Sequence, residues 1–459
     1  MNRHAALDMT RGKAAGLMIR FAVPLLIGNL FQQLYNIVDS AVVGNYVGYA
    51  ALSAVGTCSV PLQVMIAVFL GIGTGATILI SQLCGAEDRA ALRQAARTAN
   101  AFLLICAVPL TVLGYFGAGP LLRLIDVPAD AFGMARTYLS VLFLGTVANL
   151  GYNLNAGILR GMGDSRSPLL FLVVSSLLNV GLDLLFVAVF GWGVAGVAWA
   201  TVAAQACSWA LSIFWIRRYS PELDMPVVSL RMERPLLRRM LGLGLPLGLN
   251  NSIDALGHLI LQVLINRQGT VFMAGYTAAN RIDALIYYTL VAFGAAGTTF
   301  AGQNIGALRR DDTPERRRRI DRGLWTILGI TLCAYLALAA FILPCGRWLI
   351  SLFNSDPQVI AAGYMRLRWL VPFYWMYCCF YLFCSYLSGA GMVKMPTVAN
   401  LLVFWLARLP AAWLLTRAFG ANYLHACFPI SWLFGMVFTG IYYFRGNWKK
   451  KAMPEPPRP

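Results

Sequence analysis

About a dozen apolar stretches of roughly 20 residues or more recur along the chain, each long enough to cross a bilayer as a helix. Short loops rich in glycine, proline and arginine separate them. The pattern predicts helices over residues 16–47, 53–82, 92–117, 132–160, 167–190, 194–216, 236–265, 272–304, 323–346, 362–388, 396–416 and 421–444. A membrane barrel would alternate apolar and polar residues at every second position, and these runs do not. The expected fold class is an all-α polytopic membrane protein with twelve transmembrane helices.

The polar interruptions repeat as well. Pro24 in FAVPLLIGN is echoed by Pro246 in LGLPLGLNN. GTGATILISQLCG is echoed by GAAGTTFAGQNIG, which pairs Gln82 with Gln303 and Gly85 with Gly306. RGMGDSRSP, ending at Pro168, is echoed by SGAGMVKMP, ending at Pro396. Spacings that hold within a few residues across about 220 positions mark an internal duplication. The expected organisation is an N-terminal six-helix lobe over 1–216, a linker over 217–235, a C-terminal six-helix lobe over 236–444 and a basic tail over 445–459. The tail ends in MPEPPRP, which reads as disordered. Repeats that each start and end on the same side are related by a pseudo-two-fold axis along the membrane normal. That arrangement suits a transporter whose lobes rock about a cavity.

Composition sharpens this picture. Hydrophobic residues make up 59% of the chain and charged ones 12%, about half the charge of a soluble protein. The net charge of +18 raises nucleic acid as a partner, but its placement argues otherwise. Alternate loops carry about 27 Lys and Arg on one side against about 4 on the other, a positive-inside pattern. The rich side holds both tails, the Arg231–Arg239 segment and the run Arg316, Arg317, Arg318, Arg319. The chain is therefore expected to be a multi-pass protein of the plasma (inner) membrane with both termini cytoplasmic. Anionic lipid headgroups are a secondary partner for these loops. The first helix is too long, and too polar in its second half, for a cleavable signal. Of the ten cysteines, most sit inside helices without ligand-like spacing and read as small apolar fillers.

The candidate chemistry lies in the polar residues that lipid would exclude. In GNLFQQLYNIVDSAVVG, Asn29, Gln32, Asn36 and Asp39 are spaced three, four and three, within an arc of about 80° on one helix face. Such a stripe faces protein or water. Asn179 and Asp183 are one turn apart in the fifth predicted helix and share a face. Asp183 and Thr201 lie nine residues either side of Trp192, so an antiparallel hairpin brings them to the same depth, about 13 Å from the turn. A mid-bilayer carboxylate costs about 2.5–3.5 kcal/mol on insertion scales, and two close together do not both ionise without a counterion. Arg20, Arg136 and Arg160 sit near helix ends, leaving Asp39 and Asp183 without a cation at their depth. The missing charge is a proton, or a metal cation such as Na⁺ held by carboxylate, amide and hydroxyl oxygens. A structural polar cluster locking three helices is the alternative. The C-terminal half differs, since its acids Asp254 and Asp283 share their depth with Arg281 and Arg408 and are expected to be neutralised internally.

Taken together, FAVPLLIGNLFQQLYNIVDSAVVG, LNAGILRGMGDSRSP and NVGLDLLFVAVFGWGVAGVAWAT, within the twelve-helix duplication, resemble the multidrug and toxic compound extrusion (MATE) family over nearly the whole chain. The paired acids resemble its prokaryotic DinF-like branch. The resemblance implies export of amphipathic, often cationic compounds, coupled to a cation. It places that branch's cation-site motif on Asp39, Asn179, Asp183 and Thr201, its supporting polar positions on Gln32, Tyr138 and Asn153, and its helix-kinking proline on Pro24. Asp254 matches an acid that another branch uses in its C-terminal lobe, but that branch's further acid is missing from VPFYWMYCCFYLFCSYL.

The expected function is secondary active efflux by alternating access, in exchange for H⁺ or Na⁺, without other cofactors and as a monomer. Tyr374, Trp375, Tyr377, Phe380 and Tyr381 either stack on flat cations or pack against neighbouring helices. A lipid-linked oligosaccharide flippase shares this duplicated architecture, yet needs several cavity cations to meet a pyrophosphate. An enzyme is disfavoured. Asp311 and Asp312 sit in an arginine-filled loop, His4, His258 and His425 are far apart, and no zinc-protease helix, Walker loop or Ser-His arrangement occurs.

Overall fold

The structure, a computed structural model, describes residues 6–125, 127, 129–223 and 231–452, none of which lies in a strand. The MPEPPRP tail and the centre of the 217–235 linker lie outside the described residues.

The chain divides into two compact units. The first holds residues up to Asp8 and Val23–Leu249; the second holds Met9–Ala22 and everything from Asn250. Helices are numbered in chain order. They are α1 (Ala14–Val42), α2 (Tyr49–Gly85), α3 (Arg89–Leu124), α4 (Ala129–Leu144), α5 (Thr146–Gly161), α6 (Arg166–Asp183), α7 (Gly193–Tyr219) and α8 (Arg234–Asn266), then α9 (Thr270–Arg310), α10 (Pro314–Ser351), α11 (Pro357–Leu370), α12 (Tyr374–Gly389), α13 (Lys394–Leu401), α14 (Leu409–Phe419), α15 (Cys427–Arg445) and α16 (Trp448–Ala452). The ends follow local chemistry. Asp88 caps α3 by accepting from the Ala91 N–H, and Asp356 caps α11 through Gln358. Thr313 caps α10, whose first residue is Pro314.

Ten helices among the described residues are long and apolar enough to span a membrane, and the bent pair α4–α5 makes an eleventh. The α4–α5 bend of 50° falls at Gly145, where a Cβ would lie 2.5 Å from Val202. The predicted helix 362–388 is likewise broken, at the 3-10 turn Val371–Phe373, because Pro372 has no N–H to give the ladder. The remaining helix, α8, has 33 residues, but Asn250, Asn251, Asp254, His258, Gln262 and Asn266 lower its hydropathy. With α8 counted, the helices accord with a twelve-helix, two-lobe membrane architecture.

Inside the first unit, α2 meets the start of α8 along glycines. A Cβ on Gly71 would lie 2.1 Å from the Gly248 nitrogen, and one on Gly75 2.5 Å from the Gly244 nitrogen. Small residues at this spacing let membrane helices touch through their backbones. The repeat-related glutamines play matching parts. Buried Gln82 accepts from the Arg239 guanidinium at 2.7 Å, and buried Gln303 accepts from the Met9 N–H at 2.9 Å. Each holds the chain just before or within the first turns of a repeat's leading helix.

Candidate functional site

Three helices of the first unit converge on the acids. α1 brings Tyr35 and Asp39, α6 brings Asn179 and Asp183, and α7 brings Thr201. Asp183 is fully buried, and Asn179, Asp39 and Thr201 are nearly so. Asp183 is the last residue of α6 before a π-helical stretch, Leu184–Val189, and such bulges widen a helix where a site needs room.

The side chains form a connected set. With its nitrogen turned toward the carboxylate, the Asn179 amide donates to Asp183 Oδ2 at 3.0 Å, and its oxygen accepts from the Thr201 N–H at 3.2 Å. The Tyr35 hydroxyl lies 3.5 Å from Thr201 Oγ1. The carboxyl groups of Asp39 and Asp183 come within hydrogen-bonding reach of one another. Ionised carboxylates only accept, so a bond between these two requires a proton on one of them. Without it, Oδ1 of each is buried with no partner among the described residues. No lysine or arginine is ion-paired with either acid among those residues. No group of three or more His, Cys, Asp and Glu fit for a metal is found there either.

The other expected residues are placed as follows. A partly open cleft runs from Asn179 and Thr201 to Pro24, Arg160 and Pro168, bordered by Asn29, Gln32, Tyr35 and Asn153. Asn153 donates to the Asn149 carbonyl at 2.9 Å. Tyr138 is buried in an apolar cluster with Val42, Val43 and Cys58, within electrostatic range of Asp39. Gln32 and Asn36 are both exposed, and of the two only Gln32 borders the cleft. Tyr35, unremarked in the sequence, takes part instead; its position one turn before Asp39 was the available signal.

The second unit corrects one expectation. Asp283 is buried, but its partner is Arg366, at 3.1 Å, and not Arg281, which is exposed. Arg408 is buried, donates to Ser431 Oγ at 3.1 Å and packs over Phe404 and Phe428. Asp254 is half-buried, accepts from Asn250 at 3.2 Å and feels the charge of Arg408. The aromatic residues of α12 pack on one another and on Trp432, with Tyr374 and Tyr377 centroids 4.8 and 5.3 Å from its ring. In the loop before α10, Asp311 and Asp312 are engaged by Arg316 and Arg317, and the Arg317 hydrogen bond holds the Asp312 carboxyl below its usual range.

Comparison with known proteins gives the family and the fold. The MatE family model matches residues 24–185 and 246–414, more than half of the chain. The chain is 29% identical over 448 residues to the probable multidrug resistance protein YpnP of Bacillus subtilis, covering 97% of this chain and 98% of that one. It is 23% identical to a protein of Shewanella oneidensis named as an FAD transporter, covering 94% of each. Solved structures of MATE in the bent and in the straight conformation match its fold alike, each with a TM-score of 0.86, 24% identity and coverage of 97% of this chain and 98% of theirs.

Proposed function

The chain belongs to the MatE family, whose members are transporters rather than enzymes, and from that premise we propose that it exports amphipathic, often cationic compounds in exchange for a cation taken up at Asp39 and Asp183. The observation that carries this reading is a pair of buried carboxyl groups within bonding reach, each with an unpartnered oxygen and neither with a fixed basic partner. A proton suits the cluster better than Na⁺. With the Asn179 amide turned so that its nitrogen donates to Asp183, its oxygen is committed to the Thr201 N–H and lost to a metal ion, whereas one proton joins the two carboxyls directly.

The cycle follows from elementary electrostatics. A substrate enters from the cytoplasmic side while the acids share their charge unfavourably in a low dielectric. Arrival of the external cation neutralises them and changes the hydrogen bonds of α1. Pro24 has already removed one rung from that helix's ladder, so a change of curvature there costs less. The altered α1 reshapes the cleft that it borders and displaces the substrate. The reading includes an N-terminal and a C-terminal six-helix lobe, a plasma-membrane location, cytoplasmic termini and a monomer. It draws on the named activities of relatives and on the charge asymmetry of the loops.

Dye efflux from reconstituted vesicles, driven by an imposed pH gradient or an imposed Na⁺ gradient, tests it. Efflux under the pH gradient alone, abolished by Asp39→Asn in folded protein, is the expected result. Undiminished efflux by that variant removes Asp39 from the mechanism, and efflux under the Na⁺ gradient alone reassigns the ion.

A further inference from the structure

Buried acids in the two units are neutralised in different ways. Asp39 and Asp183 have no fixed cation, while Asp283 has one. Arg366, on α11, is 2% exposed. Its Nη2 donates to Asp283 Oδ2 at 3.1 Å and to Asn280 Oδ1 at 2.5 Å. The faces of its guanidinium are covered by Tyr276, 3.9 Å away, and Phe428, 5.0 Å away. Its Nε and Nη1 are buried without a hydrogen-bond partner among the described residues, which leaves the rings and Asp283 as what holds the charge there. The groups facing Asp283 are Arg366 from α11, Tyr374 from the start of α12, and Asn280 and Tyr276 from its own helix. Tyr335 of α10 lies one ring beyond Tyr374, and His425, from the turn before α15, stacks on Tyr276. Arg408 acts on Tyr276 from the end of the π-helical stretch Leu402–Arg408.

We propose that Arg366 is a tethered cation that confines ion coupling to the first unit, filling at Asp283 the electrostatic place that a mobile ion fills at Asp39 and Asp183. This deepens the reading above and rests on it. A guanidinium keeps its proton in proteins, so the charge that Arg366 offers Asp283 does not leave with an exchanging ion. A cation tethered within hydrogen-bonding distance also outcompetes a dissolved one, because its effective concentration is far higher. Asp254 differs: it accepts from Asn250 at 3.2 Å and has no ion pair with Arg408, which donates to Ser431 instead. At Asp283 the second unit then has no place for an exchangeable cation, and the ions moved per cycle are assigned to Asp39 and Asp183. Arg366 is thus a positioning residue for stoichiometry; it need never touch the substrate.

The test counts cations bound per chain in purified protein, by proton release on a pH jump and by radioactive Na⁺ binding. Arg366→Met is expected to gain one exchangeable cation, Arg366→Lys to keep the wild-type count, and Arg366→Met combined with Asp283→Asn to return to it. Reversal potentials in vesicles should shift for the single Met variant alone. An unchanged count in folded Arg366→Met overturns the proposal. Should Arg366→Met not fold, the double variant decides: recovery of folding with the wild-type count supports a counterion role, and failure to fold overturns it. A wild-type count that Asp39→Asn leaves intact sinks the coupling role of the first unit, while an Asp283-dependent gain in Arg366→Met still stands as a separate result.

Discussion

At the scale of single residues, contacts around the acids differ in weight, and their geometry ranks them. The Tyr35 hydroxyl reaches Thr201 Oγ1 only at 3.5 Å, the long limit of a hydrogen bond. Losing a bond of that kind costs at most about 0.5–1.5 kcal/mol, so Tyr35→Phe should retain transport within about tenfold of wild type. Asn179 is different. It supplies a donor to Asp183 and an acceptor for Thr201 from one nearly buried amide. Asn179→Ala strips a buried carboxyl of its donor, at about 1–3 kcal/mol, and should lower the thermal unfolding midpoint measured in detergent. Equal transport loss in both variants would show that the ranking is wrong. Spacing made Asp39, Asn179, Asp183 and Thr201 legible because one helical turn and one hairpin fix their faces and depth. The same arithmetic put Asn36 on the stripe, but a face angle does not say which of its residues a cleft will reach, and the cleft borders Gln32 and not Asn36.

At the scale of elements, the apolar runs marked every spanning segment, and what they missed was where helices break. Gly145 and Pro372 interrupt segments that read as continuous in hydropathy. Arg366 gave no signal of its own in the sequence; on α11, before the second break, it is buried against Asp283. The glycine seam between α2 and α8 was equally silent, since glycine adds little to an apolar pattern. Its consequence is measurable. A methyl at Gly71 would sit 2.1 Å from backbone, which cannot rotate away, and overpacking of this kind costs about 1–3 kcal/mol or more. Gly71→Ala should therefore destabilise the protein visibly in thermal unfolding. Gly73→Ala, with nothing within 4 Å of its added methyl, should not. Equal midpoints for the two would mean that the seam is open in the membrane.

At the scale of the whole molecule, the duplication and the charge asymmetry could be read directly, but the partition of the helices could not. The chain changes units at Asp8–Met9, at Ala22–Val23 inside α1 and at Leu249–Asn250 inside α8. The division of charge between the units carries the last consequence. If only the first unit exchanges a cation, a monovalent cationic substrate leaving against one incoming ion moves no net charge. A membrane potential supplies about 2.3 kcal/mol per charge at 100 mV, and it would do no work on that exchange. A neutral or zwitterionic substrate leaves net charge behind and is driven. In vesicles clamped by a potassium diffusion potential without an ion gradient, accumulation of the zwitterion but not of the monocation is the expected outcome. Arg366→Met, carrying one further cation, should make the monocation responsive as well. A monocation driven by potential alone in the wild type would mean that more than one cation enters per cycle, and a response lost in Asp183→Asn but kept in Asp283→Asn would place the second ion in the first unit.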